Sequence, residues 1–419
     1  MKRSYTYIML IVNIFLIGCT EPYPIASEDF EELLVVDASL SDSLQYQTVK
    51  LSNSIPLNTE STTYINNAEV WIENSNGDIF NFHQIQTDSI YQSNVTFKAE
   101  QNTSYTLHIK TEDGEEYTST EESTPDPIKI ENVFAQAETN DAGAEGIQVY
   151  ADVTSLGNNN LLNRFEYEET YKIKTPYRID SIISVKDFYF YPLNDGAVHC
   201  LDYNYSIELT PVTEETSICY DTNYSNNLIL ASSQNNDSNN VFNVKIHFIE
   251  NDNYIISEGY SILVKAYNEN YKAYQFYQTT KNMNSENETL STTQPGFFTG
   301  NLVNVNNPNQ KIIGFFNVTT TAKKRIFFDY ADFGFNQPSY FSDCLITYFL
   351  LPPAPTITLD YEIECSPEGP SPKDRLYQFI TQHNFQLKER NGTIYTLWRP
   401  ECSNCTTFAS NIKPDFWED

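Results

Sequence analysis

The chain has 419 residues with 25 basic and 56 acidic side chains, a formal charge of −31 that repels phosphate backbones and anionic headgroups and excludes nucleic acid as a partner. Hydrophobic residues reach 40% while charged ones stay at 19%, which supplies a packed core and excludes a disordered acidic tail. With 30 Tyr and 26 Phe against 14 Gly, the palette favours strands and polar turns, and the length suits two domains.

The first element is an export signal. Lys2 and Arg3 precede an apolar run from Tyr7 to Ile17, broken only by Asn13, which ends in Leu16-Ile17-Gly18-Cys19. The run is shorter than the roughly 20 residues of a membrane span, and a small residue followed by cysteine is a lipobox, so residues 1–18 are a lipoprotein signal peptide. Lipidation then falls on Cys19, and each buried methylene of its acyl chains adds about 0.8 kcal/mol of membrane attachment. Residues 19–32 are the lipid anchor and tether, stiffened by Pro22 and Pro24 and solvated by Glu28, Asp29, Glu31 and Glu32. Acidic residues so close to the lipid also suit a signal for sorting to the cell surface.

From Leu33 the pattern turns to strands. Leu33 to Val36, Val49 with Leu51, and Ala68 with Val70 and Ile72 mark the first three. Asn76-Gly77-Asp78 is a hairpin turn before Ile79, Phe80 and Phe82, and Tyr105, Leu107 and Ile109 alternate before the Asp113-Gly114 turn. Seven or so short strands predict an immunoglobulin- or transthyretin-like β-sandwich over residues 33–120, with no helix in it. Residues 121–127 combine two glutamates with Pro125 and Pro127 and predict a linker.

Residues 128–419 predict a larger β-rich domain with one or two helices. Ile147, Val149, Ala151 and Val153 alternate, as do Phe165, Tyr167, Tyr171 and Ile173, while Glu168 and Glu169 fall on opposite faces of their strand. Tyr260 to Tyr267 is a largely buried strand, after which Asn268 caps a helix to about Met283 whose Tyr271, Tyr274 and Tyr277 form one inward stripe. Strands at Leu302 to Val305 and Ile312 to Phe316 follow, then Lys323-Lys324-Arg325 leading into Ile326 to Phe328. Ser371-Pro372-Lys373-Asp374 starts a second helix with Leu376, Phe379 and Ile380 facing inward, and Asn391-Gly392 turns into a last strand through Trp398.

Once Cys19 carries lipid, six cysteines remain: Cys200, Cys219, Cys344, Cys365, Cys402 and Cys405. An even number in an oxidising compartment predicts three disulfides; proximity favours Cys200 with Cys219, and the other four pair among themselves in an order left open. Cys402 and Cys405 have zinc-like spacing without a second ligand pair, so no metal and no cofactor is expected. His83, His108, His199, His247 and His383 are far apart in sequence, and Asn235-Asn236-Asp237 has no EF-hand spacing behind it. Nucleophile elbows, phosphate loops and zinc-protease helices are absent from the sequence, so no catalytic residue is assigned and the chain is read as a non-enzyme.

The lipobox, the Tyr260–Tyr267 strand, Gly300-Asn301, Ile313-Gly314-Phe315-Phe316, Lys324-Arg325-Ile326-Phe327, the Cys402/Cys405 pair and terminal Pro414-Asp415-Phe416-Trp417 occur together and in order. That combination resembles a Bacteroidota outer-membrane lipoprotein family of unknown function, the domain-of-unknown-function 4249 family. The resemblance implies a lipid-anchored outer-membrane protein, on either the periplasmic or the cell-surface face, that assists a TonB-dependent transporter in nutrient capture or uptake. A stand-alone surface lipoprotein that binds glycans or adheres is the alternative, and a glycoside hydrolase built on two of the many carboxylates is the third.

Overall fold

The structure, a computed structural model, describes residues 32–55, 63–86, 90–192, 201–234, 239–285, 300–344, 347–350 and 372–418. The signal peptide, Cys19, most of the tether, Cys200, His199, the Asn235–Asp237 loop, Cys365 and the Ser371 helix cap lie outside the described residues. What is described is mainly β, as composition and alternation predict.

The amino-terminal strands are β1 (Leu34–Ser41), β2 (Thr48–Asn53), β3 (Glu69–Asn74), β4 (Ile79–Gln86), β5 (Ile90–Ser93), β6 (Ser104–Lys110), β7 (Glu116–Ser119) and the two-residue β8 (Glu122–Ser123). Period-two burial runs through them: Tyr105, Leu107 and Ile109 of β6 are buried while Thr106 and His108 point outward. Both predicted turns are there. Gly77 and Gly114 take φ of 86° and 90°, and the Asn74 side chain accepts the N–H groups of Asn76 and Asp78 at 3.0 and 2.9 Å, closing the β3–β4 hairpin.

Next come β9 (Ile128–Thr139), β10 (Glu145–Ser155), β11 (Leu162–Lys174), β12 (Ser181–Pro192), β13 (Leu201–Pro211), β14 (Ile218–Tyr224), β15 (Ile229–Ser232), β16 (Asn240–Glu250) and β17 (Tyr260–Asn268). Helix α1 (Tyr271–Ser285) separates β17 from β18 (Leu302–Asn304) and β19 (Ile312–Phe328). The chain ends with β20 (Thr347–Leu350), α2 (Pro372–Thr381), β21 (Gln386–Asn391) and β22 (Ile394–Trp398).

β19 is the axis of the molecule. Its 17 residues span about 50 Å at strand rise. The first half pairs parallel with β1, from Leu34↔Ile312 to Ser41↔Thr319, and the second half pairs antiparallel with β17, from Asn268↔Thr320 to Tyr260↔Phe328. Even-numbered side chains feed two cores in succession. Phe316 and Val318 join Val36, Leu40, Leu51, Ile72 and Leu107, whereas Phe328, with Ile326 beside it, joins Ile147, Val149, Phe165, Ile262 and Val264.

Around the first core the strand order is β19-β1-β2-β5-β4-β3-β6-β7-β18, and the sheet curls until its last strand faces its first. Asn301 ties that seam: its amide donates to the Phe316 carbonyl at 2.9 Å, its side-chain oxygen accepts the Phe316 N–H at 2.8 Å, and its carbonyl accepts the Thr120 N–H at 2.7 Å. The two glycines beside it are sterically required. A Cβ on Gly300 would stand 1.5 Å from the Gly314 carbonyl oxygen, and one on Gly314, at φ +125°, would stand 2.0 Å from that of Val36.

Around the second core, sheet β14-β11-β17-β19 faces sheet β16-β10-β9. A smaller cluster joins the β12–β13 hairpin to α2 and sheet β20-β22-β21 through Ile183, Leu376, Ile380, Tyr395 and Leu397, so Leu376 and Ile380 face inward as their spacing predicts.

Candidate functional site at the joint beneath helix α1

The joint between the two cores is polar. Asn268, predicted to cap α1, is instead the last residue of β17; its oxygen accepts the Leu162 N–H at 3.4 Å and its amide donates to the Asp126 carbonyl at 2.9 Å. The first helical bond runs from the Tyr274 N–H to the Asn270 carbonyl at 2.9 Å, so the strand keeps the one residue, Asn268, that the sequence pattern assigned to the helix cap, and the helix starts at Tyr271. The predicted aromatic stripe is corrected with it. Ala273 and Tyr274 are buried and Tyr277 lies over the sheet, but Tyr271 is 55% exposed and its hydroxyl accepts the Gln275 amide at 2.6 Å.

Under α1 lies an ion cluster. Arg164 of β11, 8% exposed, donates from Nε to Glu269 at 2.9 Å and also bonds Glu166, with the Tyr267 and Tyr277 rings 4.2 and 4.9 Å from its guanidinium. Glu269 is 3% exposed, and its second oxygen takes the amide of Asn317 on β19. Burial pushes the Glu269 carboxyl up, against the opposing pull of Arg164. Burial alone would depress the Arg164 guanidinium, yet the charge of Glu269 holds it above its ordinary value. The Tyr277 hydroxyl is raised by burial first and by Glu269 second.

The 121–127 segment is stitched to the same place. Asp126 accepts through its carbonyl from Asn268 and, at 2.7 Å, from the Thr320 hydroxyl; Asn270 donates to the Ser123 carbonyl at 2.7 Å. Buried Glu122 accepts from the Thr120 hydroxyl at 2.8 Å and from Asn301 at 3.1 Å.

Beside this cluster opens a cleft of about 330 Å³. Lys272, Gln275, Phe276 and Thr279, one face of α1 at three- and four-residue spacing, form one wall; Thr120, Gly300, Asn301 and Phe315 form the other. The Phe276 and Phe315 rings meet at 5.4 Å. The cleft therefore has an aromatic floor with an ammonium, amides and hydroxyls at its rim.

Other sequence-level candidates disperse. Glu168 bonds Lys265 and lies 3.9 Å from Arg325 on one face of β11, while on the other Glu169 accepts the Tyr260 hydroxyl at 2.7 Å and sits 3.2 Å from His247 Nε2, as alternation predicts. His108 stacks on Trp71 at 5.0 Å, His83 bonds Asn94 at 2.7 Å, and His383 meets the Phe379 ring edge-on.

Cys219 bonds Cys405, with Cα atoms 5.9 Å apart, and Cys344 bonds Cys402 at 5.5 Å. The expected pairing of Cys200 with Cys219 is therefore wrong, and so is the expectation that Cys344, Cys365, Cys402 and Cys405 pair only among themselves. Proximity in sequence loses to sheet geometry: the carboxy-terminal stretch runs along the free edge of β14, where Tyr220 and Ser410 exchange backbone bonds at 2.7 and 3.1 Å, and that places Cys405 against Cys219. Both thiols of the Cys402/Cys405 pair are consumed, which leaves neither for zinc. Farther on, Trp417 is buried against Tyr220 and Phe327 and over Gly259, where a Cβ would stand 3.3 Å from its ring, and Arg325 lies 3.6 Å over Phe416. The motifs that looked unrelated in sequence thus line up along β19 and its neighbours. Arg164, Glu269 and Asn317 were missed, because nothing local distinguishes them from other polar strand residues.

The sequence profile of a family described as Domain of unknown function (DUF4249) matches residues 20–325. Among curated proteins none matches the chain. A solved structure, the crystal structure of a DUF4785 family protein from Legionella pneumophila, is 10% identical over 56% of this chain, with a TM-score of 0.17, a likeness too slight to carry weight; the chain spans about half of that protein's length, 51%.

Proposed function

We propose, on the premise that the chain belongs to the domain-of-unknown-function family DUF4249, that it is a lipid-anchored outer-membrane binding protein assisting a TonB-dependent transporter in nutrient capture or uptake. The observation that supports this is the cleft beside α1. Its volume lies at the lower end of small-molecule sites, and its walls are fixed by a helix, the Gly300–Gly314 contact and the stitched 121–127 segment. A pre-formed site that need not order itself on binding suits capture and hand-over. The acyl chains on Cys19 keep that site at the membrane where a transporter works.

The test is isolation of the lipidated protein from detergent-solubilised envelopes. The expected result is a co-purifying barrel transporter and, in the Cys19→Ala variant, release of the protein from the membrane fraction. Recovery of no barrel, together with binding on a glycan array, would replace this proposal with a surface protein that binds glycans on its own. Phe276→Ala, which removes half of the aromatic floor, is expected to weaken nutrient retention at least tenfold while leaving the melting temperature within a few degrees.

A further inference from the structure

At the end of β19 remote from β1, three connecting segments bring together a cluster of aromatic rings. Tyr254 is buried and meets Tyr340 at 4.8 Å and Phe341 at 5.5 Å; Tyr340 and Phe341 are 4.4 Å apart, and Phe341 meets Phe408 at 5.7 Å. The outer two rings are uncovered, Phe341 to 54% and Phe408 to 41%. Such rings in loops ordinarily turn inward, since each costs free energy in water. Here they are held outward. Cys344–Cys402 locks the Phe341 loop to the loop preceding Phe408, Cys219–Cys405 locks the latter to β14, and the Tyr340 hydroxyl donates to the Glu401 carbonyl.

We propose that Phe341 and Phe408 are the anchors of a protein-docking face, and that the partner offers an apolar pocket rimmed by lysine or arginine. The aromatic anchors supply affinity because their loops are already ordered, so little entropy is lost on binding. Charge selects the partner. Exposed Asp343 stands two residues from Phe341, and the Glu401 carboxylate accepts the Ser342 hydroxyl at 3.3 Å and pairs with Arg399 at 3.8 Å. In a chain of net charge −31, the exposed Asp343 carboxylate beside these rings repels acidic surfaces and steers basic ones. The face lies at the Phe328 end of β19, about 50 Å along that strand from the level of Leu34. Identification of that partner as the transporter rests on the function proposed above; the face itself rests on the rings, the staples and Asp343.

The experiment uses the full lipidated chain in cells. A photo-crosslinking benzoylphenylalanine replaces either Phe341 or, as a control on the first unit, Leu44, which is 71% exposed. The proposal expects an adduct from position 341 and none from position 44, loss of the partner by at least tenfold in Phe341→Ser/Phe408→Ser, and weaker recovery in high salt. Intact disulfides and an unchanged melting temperature in the double variant separate docking from folding. No adduct from position 341, or full partner recovery with the double variant, overturns the face. An adduct with an identified envelope protein other than a barrel, lost in the double variant, keeps the face and overturns the transporter assignment.

Discussion

Arg164 and Glu269 show what a single buried pair contributes at the joint. Replacing Arg164 strands the Glu269 charge, and replacing Glu269 leaves buried Arg164 only the more exposed Glu166; either change costs about 3–5 kcal/mol, whereas removing both for apolar residues of similar volume is often nearly neutral. Glu269→Gln should therefore lower stability by about that amount in urea unfolding, and Arg164→Met/Glu269→Leu should recover most of it. If the double variant is no better than the single one, the pair is not acting as a compensated charge couple. Glu169 gives a pH signature of known sign. Burial alone would raise its carboxyl, but the hydrogen bonds from His247 and Tyr260 hold it below the ordinary value. A depressed folded-state value means that its contribution is fully present above the unfolded carboxylate range, near pH 4.3, and is lost as the pH falls through the folded value. Glu169→Gln should flatten the acid limb of stability against pH; an unchanged slope below that range would remove Glu169 from the account.

Among elements, the carboxy-terminal clasp is the one whose removal is simplest to measure. Cys219–Cys405 closes a separation of 186 residues, and Trp417 with Tyr220 seals the same edge of β14. Cys219→Ser/Cys405→Ser should cost about 2–5 kcal/mol and expose Trp417 to quenchers, while an unaltered fluorescence spectrum would show that the aromatic contacts hold the clasp unaided. The elements also show what a sequence can disclose. Alternation at Tyr105, Leu107 and Ile109 is written locally, because one buried face repeats every two residues. Pairing is not. Nothing in Ile312 to Phe328 says that its first half will lie parallel to a strand some 280 residues earlier and its second half antiparallel to β17, because both halves show the same even-numbered apolar period. Asn268 was misplaced for a related reason: a capping residue at a strand-to-helix junction satisfies either element, and the tie to Asp126 that decides it comes from a distant segment. The cleft was half legible, since Gly300-Asn301 and Gly314-Phe315 stand out in sequence while their meeting beneath α1 depends on the curl of the sheet.

On the scale of the whole molecule, β19 makes the two cores answer to one another. Composition at 121–127 suggests a linker, yet its carbonyls are held by Asn268, Asn270 and Thr320, and β18 and β19 enter the first sheet from beyond residue 300. A fragment of residues 33–120 lacks Leu302, Ile312, Phe316 and Val318 from its core and leaves the β1 and β7 edges unpaired. Each buried aliphatic or aromatic side chain is worth about 1.5–3 kcal/mol, so four together rival the 5–15 kcal/mol by which a typical domain is stable. The fragment should therefore lack a cooperative melting transition in circular dichroism. Joining residues 300–320 to the start of that fragment by a flexible linker should restore the transition, because β19 lies parallel to β1 and a linker long enough to cross back can deliver it in register. A sharp transition in the fragment alone would mean that the first core is self-sufficient and that β19 merely leans on it. In that case the two units would be free to unfold separately, and the Glu269→Gln loss at their joint would leave the first of them untouched.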